Sequence, residues 1–173
     1  MLEKIRGFFI DKQFIRKREF LKSLSIFKGL SARELGQLLQ MFHSRTYHEG
    51  ETLFLEGDIG RALFIVESGR IELTKNGPGG RKQPLAELGP GSFFGEMALL
   101  EHLPRSANAA AKERSVLLLL YRSKLDEILH GYPHIGVAIM THLARLLSSR
   151  LRRASESMAA RGTEPAPRDE AAA

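Results

Sequence analysis

The chain has 173 residues, 43% of them hydrophobic, and a formal net charge of +6: enough apolar material for one core, and a charge suited to anionic partners. It has no cysteine, which excludes disulfides, thiolate zinc sites and a thiol nucleophile. No apolar run approaches the roughly 20 residues of a membrane span, and Phe8, Phe9 and Ile10 are followed at once by Asp11 and Lys12 instead of a secretory pattern, so a cytoplasmic location is expected.

Residues 1–22 interleave Lys4, Arg6, Lys12, Arg16, Lys17, Arg18 and Lys22 with Leu2, Ile5, Phe8, Phe9, Phe14 and Ile15, the pattern of a basic amphipathic helix. Such a helix packs on its own domain, docks on a protein partner or lies on a membrane surface. Next, Ser31 and Glu34 form a capping box, flanked by Leu30 and Leu35 at the positions of a hydrophobic staple, which predicts a helix from there to about Phe42. From residue 46 the period changes. Short extended runs at 46–55, 62–67, 70–75, 83–88, 105–111 and 115–121 alternate with turns such as Ser68-Gly69 and Gly89-Pro90-Gly91. Regularly spaced short strands predict a sandwich or barrel. Ile71 and Leu73 alternate with Glu72 and Thr74 as a half-buried strand should, whereas 116–120 is an unbroken apolar run suited to burial on both faces. Beyond Tyr121, Ser123 with Asp126 predicts a capped short helix ending near Gly131, and Pro133 opens a second. Ile135, Ile139, Leu143, Leu146 and Leu147 lie on one face of that helix, loosely continued by Leu151; the stripe serves core packing or a homodimer seam. The expected organisation is a basic helix at 1–22, one domain at 23–153 and a disordered tail at 154–173.

The functional signal lies in the segment 91–107. Gly91 and Gly95 let the backbone approach a ligand, and consecutive N–H groups in such turns form a concavity for anions. Met97 to Leu100 can form one helical turn. Arg105 offers a planar fork for two phosphate oxygens, and Glu96 is an acceptor suited to a ribose hydroxyl. The six histidines, His43, His48, His102, His130, His134 and His142, show no ligand spacing, so no metal is expected. No Ser/His/Asp or paired-carboxylate arrangement stands out, so an enzyme is not expected.

These residues resemble the phosphate-binding cassette of the cyclic nucleotide-binding domain family, roughly F-G-E-x-A-L, a spacer, then P-R-x-A. Phe94, Gly95, Glu96, Ala98, Leu99, Pro104, Arg105 and Ala107 agree with it. The resemblance covers about residues 20–153. It implies a mainly β fold, a jelly-roll-like β-roll with N-terminal helices and C-terminal hinge and lid helices. By it, Arg105 holds the exocyclic phosphate oxygens and Glu96 the ribose 2′-hydroxyl. The backbone from Gly95 through Met97 to Ala98 and the Ser106 hydroxyl, with Ala107 beyond, complete the cradle. Alignment through Pro133 brings Arg150 and Leu151 near the purine, the Arg150 guanidinium stacking on the base or bonding its edge. Ile65, Val66, Leu73, Asn108 and Ala109 line the base pocket or belong to the core. Ser106 suits cAMP, since the threonine that often accompanies cGMP preference is absent there.

The implied function is a cyclic nucleotide sensor, cAMP or else cGMP being the ligand, with no other cofactor, whose C-terminal helix moves on binding and alters a surface for an unidentified protein partner. Residues 155–173 look too short and polar to read DNA. Two alternatives fit the same residues: an interaction or membrane-docking adaptor whose fold has lost the ligand, and a receptor for another phosphorylated messenger such as a cyclic dinucleotide.

Overall fold

The computed structural model describes residues 2–101 and 103–162, with side chains between 12 and 156 and at 159, apart from those of Ala98, Leu99 and Glu101. Helix α1 (Leu2–Ser23) leads through a 3-10 turn at Ser25–Phe27 into α2 (Ala32–Met41). Eight strands follow: β1 (His43–Tyr47), β2 (Thr52–Phe54), β3 (Ala62–Ser68), β4 (Ile71–Asn76), β5 (Lys82–Leu88), β6 (Phe93–Phe94), β7 (Asn108–Ala111) and β8 (Ser115–Tyr121). Helix α3 (Glu96–Glu101) sits between β6 and β7, and α4 (Arg122–Gly131) and α5 (Pro133–Gly162) close the chain. The strands form two four-stranded sheets, ordered β1-β8-β3-β6 and β2-β7-β4-β5, in which every pairing is antiparallel. That is the strand order of a jelly-roll.

The unbroken apolar run of β8 has a direct physical reason. The first sheet is covered on both faces. Leu118 and Leu120 of β8, Leu63 and Ile65 of β3 and Phe93 of β6 point to the helices, where Leu21, Phe27, Leu35, Leu38, Leu125, Ile128, Ile135, Ile139 and Leu143 meet them. Leu117, Leu119, Phe64, Val66 and Phe94, their neighbours in sequence, point into the roll against Tyr47, Ile71, Ala109 and Ala111. Two cores therefore share one sheet. Strand periodicity of two sends alternate residues to each.

The described half of α1 packs on the domain: Leu21 is fully buried, Phe14 and Phe20 lie against the helical core, and the Phe14 ring comes within 3.6 Å of where a Cβ on Gly36 would be. The apolar face of α5 does the same through Ile135, Ile139 and Leu143, while Leu151 stays 69% exposed.

Several expectations need correction. The run 46–55 is two strands, split where Glu51 N donates to His48 O and Gly50 N donates to Ala111 O, a turn that carries the chain from one sheet to the other. Strand β7 begins at Asn108, not 105, because residues 104–107 belong to the site loop. Thr74 is buried against the expected alternation, at the point where pairing with β5 slips register. Helix α4 starts at Arg122 with Tyr121 as its N-cap and no side-chain cap, so Ser123 lies inside the first turn. Helix α5 runs to Gly162, so 154–162 is helical where a disordered tail was expected; Ala, Arg, Ser, Glu and Met in 154–161 are compatible with helix and no proline interrupts it. Residues 163–173, the rest of that expected tail, lie outside the described residues. Among the described residues no helix is long and apolar enough to cross a membrane.

The capping box of α2 is present. Glu34 N donates to Ser31 Oγ, and Glu34 Oε2 accepts from Ser31 Oγ at 2.7 Å and Ser31 N at 2.8 Å. The other carboxylate oxygen meets His134 Nδ1 at 2.5 Å, tying α2 to the first turn of α5. The Ser31 bonds, and then His134, lower the Glu34 pKa from 4.5 to about 2. A depressed carboxylate contributes stability that is complete above the unfolded pKa and lost as pH falls through the folded one. Glu34→Gln is therefore expected to destabilise the protein at pH 6 and to approach the parent as pH falls from about 4.5 towards 2. Urea midpoints of both proteins across that range check this. A constant gap would show that the carboxylate charge is irrelevant.

Candidate functional site

Arg105 is fixed from both directions along its backbone. Its N–H donates to Asp58 O at 2.8 Å and its carbonyl accepts from Gly57 N at 2.9 Å, so the turn after β2 clamps it. Asp58 Oδ2 closes that turn on Leu55 N at 2.7 Å. The side chain runs inward and is 6% exposed. Nη1 donates to Gly95 O at 3.0 Å and Nη2 to Ala62 O at 2.9 Å, and Cζ lies 4.3 Å from the Phe54 ring centroid and 5.2 Å from that of Phe64. Nε is buried and has no acceptor among the described residues. Burial pushes the guanidinium pKa down while Asp58 and Glu96 pull it up, and arginine stays charged throughout.

Gly95 makes this approach possible. Its φ is +78°, and a Cβ there would lie 2.4 Å from Arg105 Nη1 and 3.2 Å from Ala62 O. Glu96 then opens α3, only 2% exposed. Its carboxylate pairs with Arg150 Nη1, whose Nη2 donates to Phe93 O at 3.1 Å. Arg150 thus pins α5 to the cassette. Next to it, the Phe93 ring lies 5.9 Å from His142 of α5, whose pKa is lowered by burial and by Arg145.

Phe94, Gly95, Glu96, Met97, Arg105, Ser106, Ala107 and Arg150 surround a single cavity of about 90 Å³ with Phe54 and Leu73. Ala98 follows Met97 in α3, and its side chain lies outside the described ones. Gly91 is not part of this cavity: its N–H is bonded to Val66 O at 2.8 Å, and a Cβ there would meet Leu24 at 3.4 Å. Of the residues considered for a base pocket only Leu73 lines the cavity. Ile65, Val66 and Ala109 are core, and Asn108 is committed to Glu56 N, Thr74 O and Asn76 Oδ1. Phe54 went unnoticed in the sequence, where an aromatic on a strand reads as core; pairing with Ala109 of β7 is what sets it beside Arg105.

Clamped arginine, positive-φ glycine and buried glutamate coincide with the sequence profile of the cyclic nucleotide-binding domain, which matches residues 44–132. The chain belongs to that family. The domain is 40% identical over 134 residues to the cyclic AMP receptor protein of Thermus thermophilus, covering 78% of this chain and 60% of that protein. In three dimensions it resembles the catabolite activator protein of Thermus thermophilus, with a TM-score of 0.73 and 38% identity over 80% of this chain and 63% of the other. It also resembles the regulatory domain of Toxoplasma gondii PKA crystallised with cAMP, with a TM-score of 0.67 and 27% identity over 83% and 51%. The chain thus spans about three fifths of the Thermus relative's length. Its fold class and its family agree with the expectations set by the cassette.

Proposed function

We propose that this cyclic nucleotide-binding domain is a cAMP receptor, not an enzyme, in which ligand binding repositions α5. The observation that supports this most is the buried Nε of Arg105, a cationic donor without an acceptor. Leaving such a donor unpaired is unfavourable by about 1–3 kcal/mol, and a phosphate oxygen offers it a charge-assisted bond. Ser106 is exposed beside it, placed to add a hydroxyl. Glu96 is the acceptor for the ribose 2′-hydroxyl, and the backbone from Gly95 through Met97 to Ala98 supplies the remaining cradle.

The cavity of about 90 Å³ is below the ~300 Å³ at the lower end of small-molecule sites, so a nucleotide enters only if the wall yields. Arg150 is the movable part. It is 44% exposed on α5, and its bond to Glu96 competes with a ribose hydroxyl for the same carboxylate. A ligand that prefers one position of α5 shifts the population towards it. In the bound arrangement Arg150 faces the base, by stacking or by an edge bond. The altered α5 surface is read by a protein partner or a second copy of the chain; no contact with DNA is part of this reading. The cell compartment we assign is the cytoplasm.

Arg150→Ala tests the coupling. It removes both the bond that competes for Glu96 and the contact with the base, whose effects on cAMP affinity oppose one another, and it is expected to abolish the cAMP-dependent change in distance between spin labels at positions 156 and 85. An unchanged distance response would detach α5 from the site. Competition of cGMP and a cyclic dinucleotide against cAMP then reads ligand choice directly.

A further inference from the structure

A second, larger cavity lies away from the nucleotide site. It occupies about 570 Å³ between the second half of α1 and the helix-facing side of the first sheet, beyond the point where apolar residues cover that face. Strand β3 links the two sites: Ala62 at its start accepts from Arg105, and Ser68 at its end lines the groove, about 20 Å away at ~3.3 Å per residue.

Three cations converge there from two elements, Arg16 and Lys17 of α1 and Arg114 of the β7–β8 turn, against one carboxylate, Glu67. The side chains of Arg16 and Arg114 form no ion pair with any described residue. Lys17 Nζ forms a loose ion pair with Glu67 Oε2 at 3.8 Å, and that buried oxygen has no hydrogen-bond donor among the described residues. The Ser44 and Thr46 side chains add hydroxyls along β1. The floor is rigid. A Cβ on Gly69 would lie 2.3 Å from Ser115 Oγ and 2.6 Å from Arg114 O, and Ser115 Oγ accepts from Arg70 N, so the two turns are pressed together under Arg114.

We infer that this groove binds a phosphate ester that also carries free hydroxyls, its phosphate held by Arg16, Lys17 and Arg114 and a hydroxyl donating to Glu67. Three converging cations against one carboxylate favour an anion, and the part-exposed Glu67 carboxylate beside them favours a ligand that also carries hydroxyl donors. The volume falls within the range of small-molecule sites and exceeds what one inorganic ion fills. A soluble sugar phosphate and the glycerophosphate headgroup of an anionic lipid share this chemistry.

The test uses the full chain, with fructose 1,6-bisphosphate as soluble probe, pyrophosphate as the anion without hydroxyls, and phosphatidylcholine vesicles with and without phosphatidylglycerol. The expected result is that fructose 1,6-bisphosphate binds several-fold tighter than pyrophosphate. Arg114→Gln and Arg16→Gln each weaken it about tenfold without altering cAMP affinity, and Arg105→Lys leaves it intact. Glu67→Met, which removes the acceptor together with the charge, separates a built site from a charged patch. In a built site it erases the preference for the sugar phosphate; in a patch it removes a repelling charge and strengthens both anions alike. Vesicle binding reversed by fructose 1,6-bisphosphate identifies a lipid headgroup as source, and sugar phosphate binding without vesicle binding identifies a free metabolite. Absence of both, equal affinity for pyrophosphate, or loss of binding in Arg105→Lys overturns the inference.

Discussion

Arg105→Lys is expected to lower cAMP affinity by about 100-fold while the chain still folds. The guanidinium gives a phosphate two parallel bonds, whereas an ammonium gives one without the planar match, and a lost charge-assisted bond with the accompanying misfit is worth about 3 kcal/mol. Lysine keeps the charge and a stem to lie along Phe54 and Phe64. It retains one donor for Gly95 O or Ala62 O, so the loss of folding stability is about 1–2 kcal/mol. Calorimetric titration and a thermal melt read the two quantities separately. An affinity within about threefold of the parent would mean that the phosphate sits elsewhere.

Gly95→Ala is expected to damage both fold and site. The φ of +78° disfavours any L side chain by about 1–2 kcal/mol. The added methyl would also overlap Arg105 Nη1 and crowd the backbone oxygen of Ala62. Arg105 then leaves Gly95 O or the strand shifts, and the sum is about 2–4 kcal/mol, with cAMP affinity down by at least about tenfold. Gly50→Ala is the control, since its φ is +77° but a Cβ there meets nothing within 4 Å. It shows the backbone effect alone. Equal melting shifts for the two variants, with unchanged cAMP affinity in Gly95→Ala, would remove the close approach from the account.

The cassette was legible because its chemistry fixes residue types at short range: Gly95, Glu96 and Arg105 lie within eleven residues, and each is needed for a separate physical reason. The Ser31–Glu34 capping box and the two-faced burial of β8 were legible for the same cause, being local patterns with one dominant reading. What escaped depends on pairing across long stretches of chain. Strand β6 is two residues long and has no period to read; Phe93 and Phe94 become a strand through pairing with Ile65 and Phe64. The contact of Arg150 with Glu96 spans 54 positions, and the family resemblance, which implies a place for Arg150 near the base, does not reveal its bond to that carboxylate. Gly91 lacks a Cβ just as Gly95 does, and nothing in the sequence separates the two; only the fold turns Gly91 towards Leu24 and bonds its N–H to Val66 O.

The most direct measurement is a calorimetric titration of cAMP into protein that has been unfolded, freed of carried-over nucleotide and refolded, beside Arg105→Lys treated in the same way. One site per chain is expected, at micromolar affinity or tighter and weakened about 100-fold in the variant. Absence of heat with both cAMP and cGMP, in protein whose circular dichroism and melt match the untreated chain, would contradict it.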